Sequence, residues 1–125
     1  MFLDDVKAYL SAAGFTDIYR DAMPDQPDAC IGLFLWAHRM PIPSDGTCTR
    51  YVQVQVRRMD PDDANETAQR IMPMLDSGMD ETKIYLTPER WCVARPLAVP
   101  KKLSADESGR TTYYFEVSLF GENTP

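Results

Sequence analysis

Residues 51–74 decide the fold and read YVQVQVRRMDPDDANETAQRIMPM. Valine alternates with glutamine or arginine from Tyr51 to Arg57, which is the two-residue period of a strand with one buried face. Asp60-Pro61 then predicts a helix start, because aspartate can cap free backbone N–H groups and proline fits the first helical position. The stretch therefore predicts a strand that turns directly into a helix lying against a sheet. The apolar face of that helix consists of Ala64, Ala68, Ile71 and Leu75 at helical spacing.

The flanking segments supply another helix and further strands. An apolar stripe at helical spacing predicts an opening helix that ends at Gly14, a residue suited to the left-handed conformation of a helix end. The nearly continuous apolar run over residues 29–37 predicts a strand buried on both faces. The remaining pattern predicts strands over 91–97 and 112–120, a short strand or turn over 84–87, and a polar connection over 100–110.

The order of these elements indicates the fold class. Helix, strand, strand, helix, strand, strand is typical of an α+β fold with a mostly antiparallel sheet of four to five strands and two helices on one face. A chain of 125 residues has the length of a single domain. We expect residues 1–121 to form that domain and residues 122–125 to be a frayed tail. Aromatic residues on both sides of the strands leave the second face of the sheet in need of cover.

Composition and charge exclude several classes of protein. A formal net charge of -6 argues against nucleic acid held on a broad basic surface, although DNA could pass such a protein without being bound. The longest apolar run, residues 29–37, is too short to span a bilayer, so we expect no membrane partner. Asp4 and Asp5 stand where a signal peptide would carry basic residues, so we expect no export. Three cysteines at wide spacing suit reduced thiols in a cytosol.

The sequence carries no pattern that predicts catalysis or a cofactor. The three cysteines and His38 lack the close pairs that a zinc site uses, and no glycine-rich phosphate loop is present. A small hydrolase built around Cys48 or His38 is the weakest of the hypotheses, because a nucleophile needs its base nearby in space. We therefore predict a protein that is not an enzyme and binds no metal or cofactor.

Features along nearly the whole chain resemble the small minor-capsid or tail-terminator proteins of long-tailed bacteriophages and prophages. These features are the opening helix that ends Ala13-Gly14-Phe15, the 51–57 strand with its acidic-capped helix, and the turn 106–110 into the aromatic strand 113–119. The sequence departs from the usual pattern in its long connection over 39–49 and in Pro73.

The resemblance implies a structural role in virion assembly. Such proteins are similar to ring-forming subunits, commonly hexamers, that cap the finished tail tube and join it to the head. The implied partners are further copies of the chain, tail-tube proteins and head-completion proteins, in the tail or neck of a virion made in the bacterial host cytoplasm. DNA would pass through an acidic ring without specific binding. The alternative is a stand-alone cytosolic module that binds a peptide or small ligand on the second sheet face.

The long connection between the first two predicted strands is the expected contact region of a ring. Prolines favour an extended segment that reaches a neighbouring subunit at low entropy cost, and loops longer than a hairpin needs are often functional. The aromatic residues of the two strands exceed what one sheet face can bury. The predicted oligomer interface therefore consists of Phe34, Trp36, Met40, Pro41, Ile42, Pro43 and Tyr51.

Overall fold

The structure, a computed structural model, describes residues 2–38 and 46–122, with side chains for 2–35 and 46–122. The elements in chain order are α1 (Phe2–Ala12), β1 (Ile18–Arg20), β2 (Cys30–His38), β3 (Thr47–Arg58), α2 (Pro61–Ile71), a 3₁₀ turn (Met72–Leu75), β4 (Ile84–Thr87), β5 (Arg90–Pro96), β6 (Lys101–Ala105) and β7 (Thr111–Glu122). The predicted α+β class, with two helices and a mostly antiparallel sheet, is confirmed.

The sheet is built around two long central strands. Its strand order is β1-β2-β3-β7-β5-β4, and β6 pairs with β7 off this path. β3 and β7 are antiparallel and pair residue by residue over their full lengths, from Thr47 opposite Glu122 to Arg58 opposite Thr111. Since β3 occupies one edge of β7, the strands β5 and β6 share its other edge. The only parallel pair among the described residues is β1 with β2.

The predicted number of strands, four to five, was too low, because the described chain forms seven. β1 has only three residues, which is too short for an alternating pattern to show. The prediction of a polar connection over residues 100–110 was also wrong, since Lys101–Ala105 forms β6. All five residues of β6 are exposed, so its backbone pairing with β7 leaves no hydrophobic period in the sequence. The short strand over residues 84–87 is confirmed.

Local signals set the end of α1 and the start of α2. Gly14 adopts a positive φ of 102° after α1. The N–H of Phe15 donates to the carbonyl of Leu10 at 3.2 Å and that of Gly14 to Ser11 at 3.0 Å, the paired bonds of a Schellman end. At the start of α2, the side chain of Asp60 accepts a hydrogen bond from the N–H of Asp62 at 3.0 Å. Both ends match the sequence pattern.

The helices pack on one face of the sheet, as predicted. The helical residues Val6, Leu10, Ala68 and Ile71 are fully buried and belong to one core cluster with the inward-facing side chains of the strands. Those strand residues are Ile31, Leu33, Val52, Val54, Val56, Phe115, Val117 and Leu119. α2 ends at Ile71 and continues as the 3₁₀ turn, because Pro73 lacks the N–H of a further helical bond.

Replacing Ile71 tests this packing. Ile71 is fully buried between α2 and the sheet, so Ile71→Ala should lower the free energy of unfolding by about 2–5 kcal/mol through lost burial and a residual cavity. Urea unfolding of the purified protein measures the change. Gln69→Ala, on the exposed side of the same helix, is the matched control and should leave stability within about 0.5 kcal/mol. Equal midpoints for Ile71→Ala and the parent would show that this helix face is not in the core.

Candidate functional site

The second face of the sheet is covered at one end by the segment 21–29. Arg57, 8% exposed, points from β3 into this segment. Its guanidinium donates hydrogen bonds to the main-chain carbonyls of Pro24 at 2.6 Å, Pro27 at 2.9 Å, Asp28 at 3.0 Å and Asp25 at 3.3 Å. One buried cation therefore satisfies four carbonyl groups of a loop that contains two prolines and lies against the sheet.

A second arginine ties the same segment to β7. The guanidinium of Arg110 forms ion pairs with Asp106 at 2.7 Å, Asp25 at 3.0 Å and Asp28 at 3.4 Å. Hydrogen bonds from the backbone N–H and side chain of Arg110 hold the pKa of Asp106 below its ordinary value of 3.8. The pKa of Arg110 is raised, chiefly by its hydrogen bond to Asp106. Arg57 in β3 and Arg110 directly before β7 therefore anchor segment 21–29 at the same end of the sheet.

The close approach of this segment explains a glycine in β2. A Cβ atom at Gly32 would lie 2.6 Å from Cγ of Met23 and 2.7 Å from Cε2 of Phe34. Met23 therefore packs over the backbone of β2 where any larger residue would displace it. The sequence pattern predicted burial of this strand on both faces, and segment 21–29 supplies the cover at this end.

The opposite end of β3 is held from the helix side. Arg50, 8% exposed, places its guanidinium 4.5 Å from the ring centroid of Phe2 and donates to the carbonyl of Glu122 at 3.2 Å. Arg90 lies 5.5 Å from the same ring and forms an ion pair with Asp5. Burial lowers the pKa of Arg50. Stacking of two cations on one aromatic ring fixes the start of α1 against the sheet.

At the same end as Arg50, the second face mixes aromatic with polar side chains. Trp91 lies 6.3 Å from Phe120, ring centroid to ring centroid, and the ammonium of Lys83 lies 4.3 Å from the centroid of the Trp91 ring. A shallow cleft of about 340 Å³ lies beside them. The residues that line it are Thr49, Glu81, Val93, Arg95, Ser118 and Phe120.

Two predicted interface residues lie on this second face. Phe34 in β2 and Tyr51 in β3 are both half-buried. Phe34 pairs with Gln53. Tyr51 precedes Gln53 by two residues in β3, so its side chain lies on the same face. The side chain of Trp36 and the residues Met40, Pro41, Ile42 and Pro43 lie outside what the structure describes. The grouping of these residues into one interface therefore stays a prediction.

The sequence pattern did not predict an exposed apolar surface before and within β6. Leu97 is 49% exposed, Val99 65% and Leu103 47%. Lys101 and Lys102 lie between them and are exposed as well. The signal was present in the run LAVPKKL over residues 97–103, which holds more apolar than charged residues. This apolar content did not lead to the prediction of a strand, because apolar and polar residues do not alternate in the run.

Comparison with known protein families decides the affiliation of the chain. A family model described as bacteriophage tail terminator protein matches residues 9–119. The chain belongs to this family. A comparison with curated proteins gave no match.

Membership of the tail terminator family gives the protein a structural role in the phage tail and a place in the virion. The match begins within α1 and ends within β7. The matched region therefore contains α2, the strand β3, and the arginines Arg50, Arg57 and Arg110. None of the described helices has the length and apolar content needed to cross a membrane.

The cysteines of this tail terminator are free and buried. Cys30, Cys48 and Cys92 form no disulfide, and the described residues contain no group of three or more potential metal ligands. Burial raises the pKa of Cys92 to about 11 and also raises the pKa of Cys30. A thiol with such a pKa is protonated at neutral pH and is a poor nucleophile.

Thiol reactivity tests this environment. With a thiol reagent such as DTNB at pH 8, the folded protein should react at Cys92 far more slowly than the urea-unfolded protein, because the folded thiol is buried and protonated. The time course of absorbance measures the reaction, and peptide mapping assigns it to a residue. Equal rates at Cys92 in the folded and unfolded proteins would contradict its burial.

The ion pair between Arg110 and Asp106 predicts a pH-dependent stability. Because the folded-state pKa of Asp106 lies below the unfolded value, its stabilising effect is complete well above that value and is lost as pH falls through the folded pKa. Asp106→Asn should therefore destabilise the protein at pH 7 and bring the variant and the parent closer together below pH 4. Urea unfolding across this range measures the difference. A difference that stays constant down to pH 2.5 would show that the carboxylate charge does not stabilise the fold.

Proposed function

We propose that this protein is a ring-forming tail terminator that caps the finished tail tube and joins it to the head. The observation that carries the proposal is the family match over residues 9–119, which extends from within α1 to within β7. The proposed partners are further copies of the chain in a ring, commonly of six subunits, with tail-tube proteins below and head-completion proteins above. The minor-capsid and head–tail joining roles belong to this proposal.

The charge of the chain supports a ring around a DNA path. With a formal net charge of -6, each copy adds to a negative potential that repels the phosphate backbone. DNA passing through the ring would then slide without specific binding. Arg57, Arg110 and Arg50 are engaged with carbonyls, carboxylates and an aromatic ring, so these cations are not presented as phosphate ligands.

We propose that the interface of the ring includes the distal parts of β2 and β3 and the connection between them. Phe34 and Tyr51 leave aromatic surface half-buried on the second sheet face. The prolines of the connection, Pro41 and Pro43, restrict its backbone and reduce the entropy lost on contact with a neighbour. Trp36, Met40 and Ile42 complete the proposed interface. A closed ring needs two different patches on each subunit, of which this is one.

A ligand-binding module is the second candidate, and the cleft beside Phe120 is the observation that favours it. Its volume of about 340 Å³ is at the lower end of small-ligand pockets, and Thr49, Glu81 and Arg95 supply polar groups. The cleft is shallow, and Arg95 already pairs with Glu81 at 2.9 Å on its exposed rim. A module of this kind would remain monomeric at high concentration and would leave tail tubes open.

Shortening the β2–β3 connection tests the ring interface. Replacing residues 40–46 by Asn-Gly should preserve the fold, because this dipeptide favours a tight turn and both strands stay complete. The variant should fail to cap tail tubes assembled without a terminator, because it lacks the proposed contact. Electron microscopy of tube ends measures capping, after circular dichroism and thermal melting have established that the variant is folded.

A seven-residue Gly-Ser replacement of the same positions is the matched control for loop length. It should also fail, because the proline and apolar side chains of the contact are gone. If a folded Asn-Gly variant caps tubes as well as the parent, the connection is not part of the interface. If the parent itself leaves tubes open, the proposed capping role is wrong.

A further inference from the structure

One edge of the sheet combines exposed apolar side chains with positive charge. Three of the eight large hydrophobic residues that are exposed in the described chain, Leu97, Val99 and Leu103, lie within seven residues of sequence. Lys101 and Lys102 stand among them, and no acidic residue occurs between Pro96 and Ala105. β6 pairs with β7 on one side only, so its other side is open. We call Leu97, Val99, Lys101, Lys102 and Leu103 the basic edge.

The far edge of the same sheet combines an exposed apolar side chain with negative charge. β1 is the last strand on that side and is flanked by Asp17 and Asp21, both exposed. β1 covers β2 only as far as Leu33, and the next core-facing residue of β2, Leu35, is 40% exposed. We call Asp17, Asp21 and Leu35 the acidic edge.

The charges on both edges are available for a partner. Among the described residues, Lys101 and Lys102 form no ion pair, and the same holds for Asp17 and Asp21. Arg20, the only cation in β1, is engaged by Asp4 at 3.2 Å. The acidic edge therefore keeps the negative charge of its two aspartates in a chain that is itself acidic.

The registers of the strands place the two edges at the same level of the sheet. Tyr19 of β1 is aligned with Lys101 of β6 through one continuous row of paired residues, Tyr19, Gly32, Gln55, Tyr114 and Lys101. The four inter-strand steps correspond to roughly 19 Å across the sheet. Lys101 and Lys102 thus lie at the levels of Tyr19 and Ile18, between the two aspartates.

The apolar parts of the edges are aligned in the same way. Leu35 pairs with Val52, Val52 with Val117, and Val117 with Pro96, which directly precedes Leu97. Leu97 directly follows β5, and Leu35 lies just beyond the end of β1. The lysines follow Leu97, and the aspartates follow Leu35, in the same direction along the sheet. A second copy set beside the first in the plane of the sheet would therefore bring leucine to leucine and lysine to aspartate.

We propose that the basic edge of one copy docks on the acidic edge of the next copy and forms the joint of the ring. This inference rests on the proposed function. The acidic edge adjoins the interface proposed above, since Leu35 lies in β2 between Phe34 and Trp36, and the basic edge is the second, different patch that a closed ring requires. In this arrangement β6 runs antiparallel to β1 of the neighbour, since β1, β2 and β7 share one direction and β6 opposes it.

The charges also exclude the competing contacts. Two basic edges repel each other, and so do two acidic edges, which disfavours a two-fold dimer and selects the head-to-tail contact. Lysines on an open edge strand discourage pairing with arbitrary strands. A neighbouring edge that carries aspartates removes this barrier, so the joint is selective for another copy of the chain.

Cross-linking between copies tests the joint directly. One batch of protein carries Leu35→Cys and another Leu97→Cys, and the two are mixed at high concentration, with and without tail tubes, and treated with a short bis-maleimide. The native cysteines are buried and contribute little to the reaction. Mixed dimers of the two variants should form in clear excess over same-variant dimers. Met79→Cys, at a fully exposed residue outside both edges, replaces Leu97→Cys in the control mixture.

Charge reversal in the same assay tests the electrostatic part. Lys101→Glu/Lys102→Glu in the Leu97→Cys partner should lower the yield of mixed dimer about tenfold or more, because like charges then face each other. When this lysine variant is mixed with a Leu35→Cys partner that carries Asp17→Lys/Asp21→Lys, the yield of mixed dimer should be restored. Lys7→Glu, on the exposed side of α1, should have no effect. Since Asp17 and Asp21 have positive φ angles of 57° and 66°, thermal melting checks the lysine variants, and Asp17→Asn/Asp21→Asn provides a milder loss of charge.

The outcomes separate the joint from the capping role. If the Leu35–Leu97 yield does not exceed that of the Met79 control under any condition, the joint is wrong. If the mixed dimers form and obey the charge swap while the parent leaves tubes open, the joint stands and the capping role is wrong. If the parent caps tubes but reversal of both lysines leaves cross-linking and capping unchanged, the tail-terminator function stands and this joint is wrong.

Discussion

The pairing of β3 with β7 is the constraint on which the other elements depend. The ladder from Thr47 opposite Glu122 to Arg58 opposite Thr111 places Val52, Val54 and Val56 beside the inward residues of β7. β2 adds to one side of this pair, and β5 and β6 divide the other side. α2 begins three residues after β3 ends, so the helix returns over the strand that precedes it. Loss of this ladder would remove the surface on which both helices pack.

Arginines hold both ends of the central pair, and each end is held differently. Near the turn into α2, Arg57 and Arg110 bind carbonyls and carboxylates of segment 21–29, which lies on the second face. At the other end, Arg50 stacks on Phe2 and fixes α1 on the first face. Burying such cations is favourable only when their donors are satisfied, and these contacts meet that requirement. The second face at this end carries the cleft beside Phe120.

The open edges of the sheet suit a subunit of an assembly, which is the role proposed for this chain. A monomer would expose aromatic residues such as Phe120 and the apolar residues beside β6 to water without gain. In the proposed ring, each copy would cover part of the next, and the charge difference between the edges would set the direction of the contact. The structural role of the tail terminator family agrees with a fold whose buried ionisable groups serve packing.

The sequence by itself determined the features that depend on neighbouring residues. The alternation around Val54, the Asp60 cap and the Gly14 helix end are set by contacts within a few positions, and each was readable before the structure. The same local features, together with the turn before β7, carried the resemblance to tail terminators that the family match confirms.

Only the tertiary structure decided the features that depend on distant pairing. β6 has no buried face, and exists because β7 offers a free edge where β5 stops. The four carbonyls gathered by Arg57 lie about thirty positions away in sequence, and the registers that align Tyr19 with Lys101 pass through five strands. No local pattern encodes such relations, because each is the sum of strand pairings fixed elsewhere in the sheet.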